Sequence, residues 1–307
     1  MRAADIARGR WPGLLERFGI DCSLLTGKHG PCPACRGRDR FRFDDQDGRG
    51  TFFCSHCGAG DGFKLLQLVN GWSFKQAASE IEETAGSIAA VAPKMLQTEG
   101  ERVAMCRAIW RETRAIVFGD PVHQYLHRRT GITDVPTCIR FHPNLKYRHA
   151  DNRVTYHPAM IAKVTGRDGN GVALHRTYLS NDGRKADVPT ARKALGSLRG
   201  SCEIRLFPAG RSLGIAEGIE TALAASMLFD IPVWSSISAN IMEKWTPPAG
   251  TEHVIICGDN DWSGTGQAAA WNLARRLIAS RAKVEVKIPN TTGDDWNDHM
   301  NGNIHDR

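Results

Sequence analysis

The hydrophobic pattern of the N-terminal part predicts helices on both sides of a short β-rich segment. Apolar residues recur at helical spacing within residues 1–20, and residues 63–84 have the same period, interrupted near Asn70 and Gly71. Between them, residues 28–62 are dense in Gly, Cys, Arg and Asp and contain the β-like pieces RFRF and TFFC. The region that follows has no clear period and contains Ala, Pro and Gly, which is typical of a linker.

The rest of the chain changes its pattern near residue 212. Residues 100–130 are predicted to be helical, and from 138 to 211 short strands alternate with turn signals such as DGNG and NDG. From residue 212 the apolar runs SLGIA, PVWSSI, EHVIICG and KVEVKI alternate with helical stretches. Those stretches lie at 219–229, near 240–245 and at 265–281. Such strand–helix alternation predicts a mainly parallel sheet.

These patterns predict a multidomain α/β protein. We expect a β-rich domain with flanking helices at 1–85, a linker at 86–98, an α+β subdomain at 99–211 and an α/β domain at 212–307. The sequence contains no apolar run of about 18 residues, the length that would predict a membrane span. The N-terminal sequence also lacks the apolar core of a signal peptide, so we expect a cytoplasmic protein with no membrane partner.

Charge is unevenly distributed along the chain, which has a net charge of +7. Residues 101–211 contain twenty Lys and Arg against nine Asp and Glu, a net +11. Residues 212–307 contain seven against twelve, a net −5. A basic region followed by an acidic one indicates a polyanionic partner next to a cation site, although Arg-rich surfaces also occur without such partners.

The four cysteines of the motifs CPAC and CSHC predict a zinc site. Cys32 and Cys35 are separated from Cys54 and Cys57 by eighteen residues, a spacing that suits one tetrahedral ion with four thiolates. The chain has nine cysteines, and in a reducing cytosol this usage favours metal over disulfides. A Gly-rich segment of this size has little core of its own, so zinc would contribute to its folding.

The segment between the cysteine pairs interleaves arginine with phenylalanine. Arg38, Arg40 and Arg42 are candidates for contact with single-stranded nucleic acid, since cations meet phosphates and rings stack on bases. The alternative is that the Phe residues form the core of the ribbon and the Arg side chains are only solvated. For some of the Phe positions we expect that alternative to hold.

Carboxylates follow three of the predicted strands. Glu217 follows SLGIA, Asp259 and Asp261 follow HVIIC, and the motif GDDWND with Asp295 and Asp298 follows KVEVKIP. Ligands of open α/β sheets gather at the carboxyl ends of strands. Carboxylates that converge there repel one another unless a cation lies among them, and hard oxygen ligands suit Mg²⁺.

Each acidic motif also has an ordinary structural explanation. An Asp after a strand is more often a turn former or a helix cap, and Asp294 and Ser263 are candidates for that role. Glu220 lies one turn into a predicted helix, where we expect a solvated face or a partner of the helix dipole. The three motifs in order, each after a strand, are far more specific than any one of them.

At these residues the chain resembles a known family. AEGIETALAA, ICGDNDWSGTGQAAA and GDDWND resemble the glutamate, DxD and final acidic motifs of the Toprim domain, which bacterial-type primases, topoisomerases and some nucleases share. The cysteine-containing segment is similar to the zinc ribbon of phage and plasmid primases. LHRTYLSNDGRKADVPTARKALG resembles the segment before Toprim in those proteins. The resemblance, which covers most of 28–84 and 138–300, is to a DnaG-related DNA primase of the mobile-element type.

The resemblance implies roles for the acidic residues. Glu217 would act as a general acid or base, or as a metal-linked carboxylate. Asp259 and Asp261 would hold Mg²⁺ or Mn²⁺, and Asp295 with Asp298 would complete the site.

It also implies partners for the basic subdomain, namely the single-stranded DNA template and the incoming ribonucleoside triphosphate. Candidate contacts are Arg176, Lys185, Arg192 and Lys193, with Lys163 and Arg211 as weaker ones. The sequence has no Walker A pattern, so for such a primase in phage or plasmid replication the replicative helicase would be a separate protein or absent.

Two other functions remain open at this point. A Toprim nuclease would use the same metal site and transfer to water, whereas a non-catalytic accessory protein would bind nucleic acid with a relic site. A topoisomerase would need a nucleophilic tyrosine, and the four tyrosines of the chain have no context that indicates one.

Overall fold

The structure is a computed structural model that describes residues 3–88, 99–149, 151–198 and 200–302. The chain forms two compact units, Met1–Gln97 and Thr98–Arg307, which we describe separately. Most of the predicted linker, residues 89–98, lies outside the described residues. None of the helices in the described ranges is long and apolar enough to cross a membrane.

The first unit consists of short helices around a small antiparallel sheet of strand order β1-β2-β3. Its elements are α1 (Ala3–Ala7), α2 (Trp11–Arg17), β1 (Phe41–Phe43), β2 (Phe52–Cys54), β3 (Gly58–Gly60), α3 (Gly62–Asn70) and α4 (Phe74–Thr84). The predicted break between the last two helices is confirmed. Gly71 ends α3 in the left-handed region (φ 70°), and Ser73 begins α4 with a capping box to Gln76.

The phenylalanines of the ribbon are mostly core residues. Phe41, Phe43 and Phe52 are buried together with Trp11 and helix residues of α2 to α4, whereas Phe53 is exposed. The alternation along β1 and β2 explains this division, because successive side chains of a strand point to opposite faces. The alternative of a Phe core therefore holds at three of the four positions.

The second unit begins with an α+β region. It contains α5 (Glu99–Glu112), α6 (Pro121–Thr130), β4 (Ile139–Arg148), β5 (Val154–Gly166), β6 (Gly171–Tyr178), β7 (Arg192–Gly196) and β8 (Cys202–Glu203). The strands form an antiparallel sheet of order β4-β5-β6-β7, with β8 paired to β5. The predicted DGNG turn joins β5 to β6, and there Asp168 accepts a hydrogen bond from the Asn170 amide at 3.0 Å.

The C-terminal region is the predicted α/β domain with a parallel sheet. Its elements are β9 (Ser212–Ala216), α7 (Ile219–Phe229), β10 (Val233–Ser235), α8 (Ala239–Met242), β11 (His253–Cys257), α9 (Thr265–Ala279), β12 (Lys283–Lys287) and α10 (Trp296–Met300). The strand order is β10-β9-β11-β12, and each neighbouring pair is parallel. The carboxyl ends of these strands therefore lie at one edge.

The antiparallel and parallel sheets share one hydrophobic core. A single buried cluster contains side chains of α6, β4 and β5 together with side chains of β9, α7 and β11. Burial of this shared apolar surface is the main stabilising contribution to such an arrangement. The boundary predicted at 211/212 thus separates two sheets but lies inside one compact unit.

Candidate metal centres and phosphate cavity

The four predicted zinc ligands converge in the first unit. Their Sγ atoms all lie within 4.8 Å of one another, with Cys32 to Cys57 at 3.9 Å and Cys35 to Cys54 at 3.8 Å. Sulfurs bound tetrahedrally at about 2.3 Å from zinc lie about 3.8 Å apart, so the spacing fits the ion.

Each cysteine pair is shaped by its own backbone. The Cys35 amide donates to Cys32 Sγ at 3.5 Å, and the Cys57 amide donates to Cys54 Sγ at 3.4 Å. N–H groups that point at sulfur favour the thiolate form, which is the form that binds metal. The four cysteines are thus the ligand set of a zinc ribbon.

The arginines of the ribbon differ in their availability. Arg42 is committed to Asp44 through paired contacts of 2.7 Å and 3.0 Å. Arg38 and Arg40 are exposed, and neither has a carboxylate partner among the residues the structure describes. These two side chains are free to contact a ligand, whereas Arg42 mainly stabilises the loop.

The predicted acidic residues gather at the carboxyl edge of the parallel sheet. Glu217 follows β9, Asp259 follows β11, and Asp295 is the N-cap of α10 after β12. These three side chains line one cavity of about 160 Å³.

The carboxylates at this edge raise one another's pKa. Burial, then Asp295 and Glu217, raise the pKa of Asp259 to about 8. Burial, then Asp261, raises the pKa of Glu217, and burial also raises the pKa of Asp295. Asp259 Oδ1 is buried and has no hydrogen-bond partner in the described part of the chain. Neighbouring carboxylate oxygens are the type of ligand that Mg²⁺ prefers, and a cation among them would relieve their repulsion.

Asp261 and Asp298 also have structural roles. Asp261 accepts hydrogen bonds from Ser263 Oγ at 2.8 Å and from the amides of Thr265 and Gly266, where α9 begins. Burial alone would raise the pKa of Asp261, but these bonds outweigh it and lower that pKa. Asp298 forms a capping box with Asp295 at α10. The expected capping role of Ser263 is therefore carried out jointly with Asp261.

Of the two roles expected for Asp294, turn former or helix cap, the structure agrees with the first, since the Asp294 amide donates to the Thr291 carbonyl at 3.3 Å. The Asp294 side chain is buried, and neither carboxylate oxygen has a hydrogen-bond partner within the described ranges. Its backbone carbonyl accepts from the Asn260 amide at 2.9 Å, and the Gly293 amide donates to the Asn260 carbonyl. These bonds connect the two acidic loops to each other.

Basic side chains line the same cavity. Arg129, Lys185 and Arg192 line it together with His175, so two of the predicted basic residues reach the site. Burial, then Arg192, lowers the pKa of Lys185. Burial lowers the pKa of His175 to about 4, which keeps the imidazole neutral. The cavity thus combines cationic and carboxylate side chains in one lining.

The other predicted basic residues are elsewhere. Arg176 donates to the Ala194 carbonyl at 3.0 Å, and Lys193 Nζ lies 3.6 Å from the centre of the Tyr147 ring. Arg211 lies 3.6 Å from Glu252 on the surface. Lys163 lines a separate cleft of about 400 Å³ on the antiparallel sheet. None of these four side chains is among those that line the described cavity.

The expectation of a solvated Glu220 is wrong. Glu220 is 4% exposed, it lies 2.8 Å from Arg192 Nη2, and it accepts a hydrogen bond from the Tyr125 hydroxyl. The surrounding run IETALAASMLF, with few polar residues, indicates a helix buried on most sides, and this was the available signal. Burial and Glu220 raise the pKa of Tyr125, which makes it a poor nucleophile.

Comparisons with known proteins agree with this architecture. The zinc-binding domain of primase-helicases matches residues 27–63, the Toprim domain matches residues 212–303, and a domain of unknown function (DUF7146) matches residues 100–205.

Solved primase structures are similar at low identity. The primase fragment of the bacteriophage T7 primase-helicase is 18% identical, covers 90% of this chain and 95% of its own, and has a TM-score of 0.39. The Aquifex aeolicus primase is 13% identical, with 98% and 82% covered and a TM-score of 0.39. The chain therefore contains a zinc ribbon similar to the zinc-binding domain of primase-helicases and, C-terminal to it, a Toprim domain.

Proposed function

We propose that this protein is a DNA primase that synthesises short RNA primers on single-stranded DNA by Mg²⁺-dependent nucleotidyl transfer. The observation that carries the proposal is the cavity that Arg129, Lys185 and Arg192 line together with Glu217, Asp259 and Asp295. A nucleoside triphosphate with its metal has matching chemistry, since its phosphates need cations and its metal needs carboxylates.

In this proposal the residues of the chain divide the work. Asp259 and Asp261 would hold Mg²⁺ or Mn²⁺, with Asp295 and Asp298 in support. The ion supplies charge stabilisation for the transferring phosphoryl group. Arg192 and Lys185 would bind the triphosphate.

The reaction forms one phosphodiester bond and releases pyrophosphate. The 3′-hydroxyl oxygen of the first nucleotide attacks the α-phosphorus of the next, and the bond to the pyrophosphate oxygen breaks. Glu217 would accept the hydroxyl proton, and its raised pKa brings it closer to the working range of a general base.

The template would lie on the basic subdomain. Arg107, Arg111 and Lys163 line the cleft of about 400 Å³ next to Trp110, and within the described ranges none of the three cations has a carboxylate partner. An aromatic side chain among unpaired cations suits a single strand, whose phosphates and bases they can contact. The exposed Arg38 and Arg40 of the zinc ribbon would add further contacts. Phage or plasmid replication with a separate helicase is the setting we propose.

Primer synthesis is the direct test. Single-stranded DNA of mixed sequence, labelled ribonucleotides and Mg²⁺ should give short RNA with the wild-type protein. The double variant Asp259→Ala, Asp261→Ala should give no product while its zinc content stays unchanged. If the wild type cuts DNA and makes no RNA, the metal site belongs to a nuclease. If it binds DNA without either reaction, it is an accessory protein.

A further inference from the structure

One buried carboxylate of the cavity lining, Glu220, has no role in the proposed reaction. Glu220 lies on α7, is 4% exposed, and contacts Arg192 Nη2 at 2.8 Å. The Tyr125 hydroxyl of α6 donates to the same carboxylate oxygen, Oε1. Moving a charge out of water costs free energy unless a partner compensates. The buried Glu220 carboxylate therefore stays paired with Arg192.

Glu220 occupies only one edge of the Arg192 guanidinium. An arginine has five N–H donors; Nη2 of Arg192 donates to Glu220, and Tyr125 also interacts with the guanidinium. The Arg192 side chain remains 42% exposed and lines the cavity together with Glu217, Asp259 and Asp295. Its remaining donors are therefore available to an anion in the cavity.

The arginine has other carboxylates within electrostatic reach. The positive charge of Arg192 acts on Glu217, where it opposes the effect of burial on the pKa of that carboxyl group. Without Glu220, the nearest compensation for Arg192 would come from the carboxylates that are to hold the metal. Such a pairing would take from the cavity both a cation for phosphates and a carboxylate for the metal.

We propose that Glu220, supported by Tyr125, is a positioning residue that fixes Arg192 as a cation for the phosphates of a nucleoside triphosphate and keeps it off the metal-binding carboxylates. This inference rests on the proposed function, since it assumes that the cavity takes a triphosphate. The charge state agrees with it. Burial would raise the pKa of Glu220, but Arg192 and then the Tyr125 hydroxyl lower it to about 2.

The chain contains a matched control for the burial of an ion pair. Glu203 and Arg205 lie 2.8 Å apart, and the Glu203 side chain is 3% exposed against 5% for Glu220. Neither residue of this pair lines the cavity, within the described part of the molecule. Glu220→Gln and Glu203→Gln therefore remove equivalent buried charges, and only the first should disturb Arg192 at the cavity.

The test measures GTP binding by calorimetry in Mg²⁺, and also KM and kcat for primer synthesis. We expect Glu220→Gln to raise the Kd and KM for GTP about tenfold, equivalent to about 1.4 kcal/mol, with a smaller change in kcat. It should also raise the Mg²⁺ concentration needed for half-maximal binding. Glu203→Gln should change neither value by more than about twofold, even at equal loss of thermal stability.

A double variant tests whether Glu220 acts through Arg192. Arg192→Ala with Glu220→Gln should bind GTP no more weakly than Arg192→Ala alone, because the residue that Glu220 positions is already absent. Additive losses, or a Glu220→Gln protein with wild-type affinity for GTP, would overturn the proposal. Should Glu220→Gln not fold, Tyr125→Phe takes its place and must weaken GTP binding in the same direction.

These results separate the two proposals. A wild-type protein that binds GTP but makes no RNA removes the proposed function, and the effect of Glu220→Gln on binding still decides the role of Glu220. A protein that makes RNA with unchanged GTP affinity in Glu220→Gln removes only the positioning role. A wild-type protein that does not bind GTP overturns the positioning role as well.

Discussion

Asp259 shows at the scale of one residue how a binding site opposes stability. Its carboxylate is partly buried beside Asp295 and Glu217, and its pKa is raised to about 8. A folded state that raises the pKa of an acid is less stable than it would be without that acid at any pH above the unfolded value. The repulsion that a cation would relieve is therefore an unfavourable contribution in the metal-free protein.

Replacing Asp259 with Asn should stabilise the metal-free protein and abolish its function. We expect the free energy of unfolding near neutral pH, without Mg²⁺, to rise by about 2 kcal/mol. One pKa unit corresponds to about 1.4 kcal/mol, and the substitution removes only part of the unfavourable energy of the buried carboxylate. Added Mg²⁺ should stabilise the wild type but not the variant. Urea unfolding with and without Mg²⁺ measures both, and a destabilised Asp259→Asn protein would contradict this account.

The lowered pKa of His175 predicts that the folded protein loses stability in mild acid. Burial lowers its folded pKa from 6.5 to about 4, so as the pH falls the unfolded chain takes up this proton first. Stability contributed by the neutral imidazole is thus present above pH 6.5 and is lost between there and about pH 4. When the pH falls from about 7 to about 5, the free energy of unfolding should decrease by roughly 1–2 kcal/mol less in His175→Gln than in the wild type. Equal losses in the two proteins would refute the assignment.

At the scale of elements, the sequence predicted what depends on local pattern. Apolar runs identified β9, β10, β11 and β12, and because parallel strands end at one edge, their carboxylates were expected to meet. Glu220 was missed because its burial depends on Tyr125, 95 positions away, and on Arg192, 28 positions away. The helical period of α7 alone gives no information about which elements pack against it.

The zinc ribbon is the element whose stability should depend on metal. Its sheet has short strands and a small core, so zinc bound by the four cysteines should contribute much of its stability. We expect Cys35→Ser to lose the bound zinc and to make residues 27–63 sensitive to protease. The second unit should stay resistant, because its core is separate. Zinc content and limited proteolysis with mass spectrometry measure these effects.

Cys22→Ser is the control for that experiment. Cys22 is exposed and is not part of the cysteine cluster. It should keep full zinc content and wild-type protease resistance. Loss of the second unit together with zinc would show that the two units do not fold independently.

At the scale of the whole molecule, the basic and the acidic parts of the sequence lie in one compact unit. Residues 101–211, with net charge +11, and residues 212–307, with net charge −5, pack on a shared core within one compact unit. Three cations of the basic part, Arg129, Lys185 and Arg192, line one cavity with Glu217, Asp259 and Asp295 of the acidic part. The sequence shows the charges but not the packing that brings these side chains together.

The basic cleft should account for part of the affinity for single-stranded DNA and for its dependence on salt. Removing one phosphate contact by Lys163→Ala or Arg111→Ala should reduce the slope of log K against log salt by about 0.7. Trp110→Leu should weaken binding by about 1–3 kcal/mol with little change of slope, because stacking on bases involves no counterions.

Arg275→Ala is the matched control, since Arg275 is exposed on α9 and is absent from the residues that line the cleft in the described structure. Fluorescence titration of labelled oligonucleotides at several salt concentrations measures both quantities. Equal slopes for Lys163→Ala, Arg111→Ala and Arg275→Ala would mean that the template is bound elsewhere.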